Sequence, residues 1–341
     1  MIHIDARDGG GQMLRTALAL SVFTGRPFAM EGIRACRPKP GLKSQHLTLV
    51  QAMAQASDAG LKCDGVGADS LTFTPGELNP RPLPLDIGTA GSITLLLQGL
   101  MVPLLPSAHT HRITIKGGTD VRWSPPIDFL RNIIIPGLST FADMTLFVGR
   151  RGYYPKGGGE VDITIHPDRG IGMPIQRENR GELVAIRGIA HASKSLIDAS
   201  VAERMGRRAE MSLSSMGVPV SITTEYADTA SPGAGLVLWG VSLPEKEADP
   251  IYIGADALGE KGTKAEDVAQ EACDLLKNRL DSGAACDTHL ADHLIPYLAM
   301  RGGSITADRI SNHIRTNISV CKAFLDTEFS IEGNTITASK A

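Results

Sequence analysis

Ile2-His3-Ile4-Asp5-Ala6, the turn Gly9-Gly10-Gly11-Gln12 and the apolar residues 13–23 read in succession as a strand, a glycine turn and a helix. Alternation, then residues too small to crowd the backbone, then apolar side chains at helical spacing impose that order. The block returns twice. Its second copy is residues 83–87, the turn Gly88-Thr89-Ala90-Gly91-Ser92 and a helix over 93–104. The third lies near residues 286–300, where Leu290, Leu294, Ile295 and Leu298 recur at helical spacing. Each block leads through alternating β-type sequence into a second helix, expected over 42–59, 126–141 and 312–325, the middle one opened by Ser124-Pro125-Pro126. Strand pairs close the copies at 71–73, 161–165 and a terminal hairpin of 329–331 with 335–337 around Gly333-Asn334. Such units bury their apolar faces only against one another.

Residues 181–280 are of a different kind. They read strand (183–189), charged helix (199–216), strand (220–225), strand (236–243), strand (251–254) and amphipathic helix (265–280). The turn Ser231-Pro232-Gly233-Ala234-Gly235 reads as a hairpin tip. The fold class expected is therefore α/β (α+β): a repeat-built body from 1–180 and 281–341, carrying an inserted small α/β domain at 181–280. A chain of 341 residues is long enough for that division.

Hydrophobic content of 42% with 21% charge describes a soluble globular protein. The longest apolar run, residues 93–105, is broken by Gln98, Gly99 and Pro103, so no membrane span is expected. Met1-Ile2-His3-Ile4-Asp5 lacks the basic and apolar regions of a signal peptide. Five scattered cysteines form neither a disulfide framework nor a zinc pattern, which favours a reducing cytoplasm. A net charge of −3 argues against a protein that coats nucleic acid. Residues 32–50 differ locally: Arg34, Arg37, Lys39 and Lys43 occur without one carboxylate, enough for a single phosphate-bearing end.

Gly9-Gly10-Gly11 ahead of a helix leaves backbone N–H groups at the positive end of a helix dipole, open to a phosphate. Asp8 offers a carboxylate for a divalent cation, and Gln12 and Arg15 fall on the first helical turn. Gly157-Gly158-Gly159-Glu160 precedes a strand and reads as a turn. Of nine histidines, His3, His166 and His191 lie on or beside strands and His109 and His111 flank a turn. His46 follows the basic patch on a helix. His289 and His293 are i, i+4 on one helix face without a His-Glu-x-x-His pattern or a third ligand. His313 stands apart, flanked by Arg309 and Arg315 with Asn317 one turn onward; cations beside an imidazole keep it neutral and nucleophilic.

Several blocks, in order and over essentially the whole chain, resemble the RNA 3′-terminal phosphate cyclase family. They are Asp8-Gly9-Gly10-Gly11-Gln12-x-x-Arg15, Arg34-x-x-Arg37-x-Lys39-Pro40-Gly41-Leu42-x-x-Gln45-His46, Ile87-Gly88-Thr89-Ala90-Gly91-Ser92, Gly117-Gly118-Thr119-Asp120 with Pro125-Pro126, Gly152-Tyr153-Tyr154-Pro155-x-Gly157-Gly158-Gly159, and His313-x-x-x-Asn317. The resemblance implies three β/α repeats about a pseudo-threefold axis, each similar to the enolpyruvyl transferase repeat, with a small inserted domain. It implies ATP-dependent conversion of an RNA 3′-phosphate to a 2′,3′-cyclic phosphate through a histidine–AMP intermediate and an RNA-adenylate. His313 would be the nucleophile. Gln98 and the run His289-Leu290-Ala291-Asp292-His293 fall where the family holds ATP. Arg15, Arg34, Arg37, Gln45 and His46 would face RNA or phosphate, and Asp8 would bind Mg²⁺ or Mn²⁺. The partners implied are ATP and RNA ending in a 3′-phosphate, with a homodimer as one compatible assembly.

Three positions depart from the family pattern. Asp8 replaces a glutamate one methylene longer. The run at 289–293 usually begins with tyrosine and ends with glutamine, and here both ends are histidine. The approach to His313 is one residue shorter. Two other readings compete for these residues. Non-catalytic relatives acting as RNA-binding ribosome-assembly factors lack the nucleophilic histidine, so His313 counts against that role. An enolpyruvyl transferase needs more repeats and a longer chain.

Overall fold

The computed structural model describes residues 1–7, 9–167, 173–244 and 249–340. Strand β1 (Ile2–Asp5), helix α1 (Gly11–Thr24), β2 (Phe28–Glu31), α2 (Ser44–Ala56), β3 (Gly60–Lys62) and β4 (Leu71–Thr74) build a first unit. Its sheet is ordered β1-β2-β4-β3, with β1 and β2 parallel and the other pairs antiparallel. A second unit follows: β5 (Leu83–Asp86), α3 (Ile93–Leu104), β6 (His111–Gly117), α4 (Ile127–Phe129), a π turn (Leu130–Ile134), α5 (Ile135–Gly137), β7 (Ala142–Arg150) and β8 (Gly159–Pro167). Its order, β5-β6-β8-β7, and its strand senses copy the first.

The third unit is split. Its first strand, β9 (Ile175–Arg177), precedes a long excursion made of β10 (Glu182–Ser193), α6 (Val201–Leu213), β11 (Val220–Ala227), β12 (Ala234–Leu243), β13 (Ile251–Leu258) and α7 (Ala265–Asp281). The chain then returns as α8 (Thr288–Arg301), β14 (Gly303–Thr306), α9 (Asn312–Phe324), β15 (Thr327–Glu332) and β16 (Thr335–Lys340). The resulting sheet, β15-β16-β14-β9, again pairs its first two strands in parallel and the rest antiparallel. Counted from each unit's own start, all three sheets run first, second, fourth, third.

Two features close the split. Gly303 takes φ +116°, and a Cβ there would strike the backbone of Ile175 across the parallel pair. Thr306 Oγ1 donates to the Glu178 carbonyl and accepts from Ala285 N–H, both at 2.9 Å. One hydroxyl thus holds the outgoing and the returning chain together.

The excursion makes a fourth sheet, ordered β11-β10-β12-β13, with α6 and α7 on one face. Strand β12 is buried along nearly its whole length. Leu236 and Leu238 pack with Met205, Ala209, Ala272 and Leu276 of the two helices. Val237, Trp239 and Val241, on the opposite face by the two-residue strand period, join the core of the other three sheets. The turn at Ser231–Gly235 is not the hairpin tip its composition implied. Strands β11 and β12 lie on opposite sides of β10, and the turn crosses between them.

Sequence periodicity also missed the break in the helix expected over 126–141. Pro136 has no N–H to donate to residue 132, and the preceding turn widens so that Ile135 N–H reaches the Leu130 carbonyl, five residues back. The helix expected over 42–59 is shorter, beginning at Ser44, where His46 Nδ1 accepts from Lys43 N–H at the helix start. No helix among the described residues is long and apolar enough to cross a membrane.

Candidate functional site

Helices α1, α8 and α9 converge on a cleft of about 160 Å³ lined by Gln12, Arg15, Leu95, Gln98, Trp123, Pro125, Thr288, His289, Asp292, His293, Arg309, Ser311 and His313. Caps and buried hydrogen bonds fix the walls. Asp287 caps α8 by accepting from Leu290 N–H, and also accepts from Gly254 N–H of β13. Ser311 caps α9 by accepting from Ile314 N–H at 3.0 Å while its hydroxyl donates to Asp292 Oδ1 at 2.9 Å. Asn317 Nδ2 donates to the Asp292 carbonyl and Thr16 Oγ1 donates to Asn317 Oδ1. Gln12 Nε2 reaches the His313 carbonyl at 3.4 Å. The first helix of the chain and the last therefore share one wall.

His313 sits on the exposed first turn of α9. Partial burial, then the charges of Arg15 and Arg37, push its pKa below the ordinary imidazole value. The neutral ring anticipated from sequence has this setting, but the cations responsible are Arg15 and Arg37 and not the sequence neighbours Arg309 and Arg315. Arg15 is 9% exposed and makes no hydrogen bond among the described residues. Burial lowers its pKa to about 10, against the opposing pull of Asp292. It stays a cation at neutral pH. A buried cation without an acceptor, beside a neutral imidazole, is a ready anion site.

The carboxyl of Asp292 is pushed up by burial to about 7, although the Ser311 hydrogen bond and Arg15 favour its charge. His293 is buried and held neutral, its pKa lowered to about 3 by burial, then by His289 and Arg15. His289 stands edge-on to Phe129 with ring centroids 5.2 Å apart, and its Nε2 lies 4.0 Å from Asp256 Oδ1 of β13. Burial pushes Asp256 up to about 7. The fourth sheet thus lies against one of the side chains that line the cleft, which nothing in the sequence near residue 256 signalled.

The glycine turn lies alongside. Among the described residues no side chain caps α1, so its first N–H groups point toward the glycine turn open to a ligand. A Cβ on Gly11 would collide with His46 Nε2, and one on Gly10 would meet Arg37 Nη2 at 3.5 Å. His46 accepts from Lys43 N–H through Nδ1, which leaves Nε2 as the protonated nitrogen facing the turn. Burial, then Arg15, Arg34 and Lys43, lower its pKa to about 3. Exposed Arg37 completes this side.

Of the residues anticipated from sequence, Arg15, Gln98, His289, Asp292, His293 and His313 line one cleft, with Arg37 and His46 at the adjoining turn. Others are placed differently. Leu290 and Ala291 are fully buried, Leu290 against Gly137. Arg34 Nη1 donates into its own loop, to the carbonyls of Lys39 and Gly41. Gln45 Oε1 accepts from Ser92 N–H and ties α2 to the second unit. Asp8 lies outside the described residues. Gln12 Oε1, buried with no partner, is an unfilled acceptor in the same wall.

Elsewhere, a shallower hollow of about 500 Å³ around Ile135, Asp143 and His166 has no converging charged groups. Asp120, Asp128 and His191 lie close enough to hold an ion, but Arg151 fills their centre, donating to Asp120, Asp128 and Glu225. Buried charges of opposite sign satisfy one another there.

A family model described as RNA 3′-terminal phosphate cyclase matches residues 6–331. A protein of that name from Pyrococcus abyssi is 40% identical over 98% of this chain and 96% of its own length. One from Caldivirga maquilingensis is 44% identical over 96% and 93%, and one from Archaeoglobus fulgidus 39% identical over 98% and 99%.

Proposed function

This chain belongs to the RNA 3′-terminal phosphate cyclase family, and on that premise we propose that it converts an RNA 3′-phosphate to a 2′,3′-cyclic phosphate at the expense of ATP. The observation that carries this reading is the pairing of unpartnered, buried Arg15 with the neutral imidazole of His313 in one cleft. His313 Nε2 attacks the α-phosphate of ATP, and pyrophosphate departs. The RNA 3′-phosphate oxygen then attacks the phosphoramidate phosphorus, and His313 leaves with its lone pair restored. The neighbouring 2′-hydroxyl finally attacks the 3′-phosphate phosphorus, losing its proton as AMP departs. Adenylylation turns an oxygen of the RNA phosphate from a poor leaving group into part of a good one, AMP, and each displacement needs cations at the developing charge.

Arg15 is suited to the α-phosphate beside His313, while Arg37, the His46 Nε2–H and the N-terminal N–H groups of α1 are suited to the RNA phosphate. Gln98, His289, Asp292 and His293 would hold the nucleotide, with Leu290 and Ala291 supporting them from the core. Arg34 and Gln45 would act by shaping the loop and turn that present Arg37 and His46. Mg²⁺ or Mn²⁺ would be held by Asp8, with Gln12 Oε1 a further oxygen donor in the wall, and would neutralise the departing pyrophosphate.

We further read the three like-ordered sheets as repeats about a pseudo-threefold axis, resembling the enolpyruvyl transferase unit. Residues 1–180 and 281–341 form that body, and 181–280 the inserted domain. Cytoplasmic placement accords with five free cysteines. The test is incubation with α-labelled ATP. An acid-labile, base-stable AMP adduct is expected, lost in His313→Ala; an undiminished adduct in that variant overturns the assignment.

A further inference from the structure

Trp123 is the most exposed of the described large apolar side chains, at 93%, yet it lines the cleft beside Leu95, Gln98 and Pro125. Its backbone is left-handed, φ +63°, a strained conformation for so bulky a residue. The loop carrying it is pinned on both sides. Ser124 Oγ donates to the Val121 carbonyl at 2.9 Å and Thr94 Oγ1 to the Pro125 carbonyl at 2.7 Å. Arg122 pairs with Glu260 of the fourth-sheet segment. Strain persists where surrounding structure over-determines it, and here it presents an indole to water at the mouth of a polar cleft. Burial would stabilise that ring, and none of the described residues buries it.

We propose that Trp123 is a stacking surface for a nucleobase entering or leaving the cleft. The inference rests on the nucleotide chemistry assigned above and extends it to a residue outside that assignment. A flat, electron-rich ring on a pinned loop takes any base by its face, whatever its hydrogen-bonding edge. The base comes from ATP or from the RNA 3′ end, and the two sources are separable by experiment.

The chain has two tryptophans, and Trp239 is 8% exposed in the core. Fluorescence change on ligand addition, present in the native protein and absent in Trp123→Phe, therefore reports on Trp123. ATP is compared with inorganic triphosphate, and a 3′-phosphorylated oligoribonucleotide with one whose terminal residue is abasic. Quenching by ATP but not triphosphate assigns the adenine; quenching by the intact but not the abasic strand assigns the RNA base. Trp123→Ala should weaken the quenching ligand by roughly 5- to 100-fold, with Trp123→Phe, which keeps a ring, much closer to native. No quenching by either ligand, or unchanged affinities in Trp123→Ala, overturns the proposal. The AMP adduct is measured alongside. Its normal formation with unchanged affinities removes the stacking role and leaves the cyclase reading standing, whereas its absence from the native protein removes that reading while the titrations still report on base binding.

Discussion

Thr16 Oγ1 lies 2.5 Å from Asn317 Oδ1, a buried hydrogen bond between side chains 301 positions apart. It seats the helix of the glycine turn against the helix of His313. The second arm of Asn317, to the Asp292 carbonyl, brings α8 into the same joint.

Replacing Asn317 by alanine should cost about 1–3 kcal/mol of folding stability, because two buried partners lose their hydrogen bonds. Adduct formation should slow through kcat more than KM, since His313 loses its alignment while the ATP contacts persist. Thermal unfolding and single-turnover labelling measure the two effects. A variant as stable and as fast as native would show the joint to be idle.

The pH dependence of self-adenylylation follows from the lowered pKa of His313. The attacking ring must be neutral, so kcat/KM should rise with pH through a midpoint below the ordinary imidazole value of 6.5 and then level off. Removing the positive charge of Arg37 relieves part of the depression, so Arg37→Ala should move the midpoint upward. A shift downward would contradict the electrostatic origin.

Arg37→Ala should also impair AMP transfer to RNA more than adduct formation. Loss of one charge-assisted phosphate contact costs about 1.5–3 kcal/mol, roughly ten- to a hundred-fold in rate. Equal losses in the two half-reactions would put Arg37 in the nucleotide site.

Asp292 gives a stability prediction of opposite sign to the usual carboxylate. Its folded pKa is raised from 3.8 to about 7, chiefly by burial, so the folded state holds the proton more tightly than the unfolded chain. That contribution is fully present below about 3.8 and is lost as pH rises through about 7. Asp292→Asn keeps an acceptor for Ser311 and should therefore become more stable relative to native as pH rises from 4 to 8. Parallel unfolding curves at both ends of that range would refute it.

Legibility in the sequence followed the range of the interaction. The glycine turn, the terminal hairpin around Gly333 and the helices carrying His289 and His313 are set by neighbours within a few residues, and each lies where periodicity placed it. The family resemblance, carried over residue by residue, named Arg15, Asp292 and His313, and these project into one cleft from α1, α8 and α9. Long-range competition was hidden. Arg34 looked like one more phosphate cation, but two carbonyls in its own loop claim Nη1. The Ser231–Gly235 turn has hairpin composition, yet β10 lies between the strands it joins. Strand β9 is three residues long, too short for any period to register, and it pairs with a strand beyond the whole fourth sheet. Asp256 reaches His289 through sheet packing alone, which no local pattern encodes.

The double hydrogen bond of Thr306 has a consequence for how this protein tolerates change in length. Its hydroxyl meets Glu178 on one side and Ala285 on the other, so the chain leaves and re-enters the third sheet at one point. Residues added to, or trimmed from, an exposed turn such as the one at Gly217 lengthen or shorten a lasso whose knot stays tied. The register of Gly303 on Ile175 is then indifferent to the size of the loop between them. A peptide tag placed at Gly217 should leave the cleft intact, whereas a single residue inserted between Gly303 and Thr306 would slide a strand and turn its side chains to the wrong face.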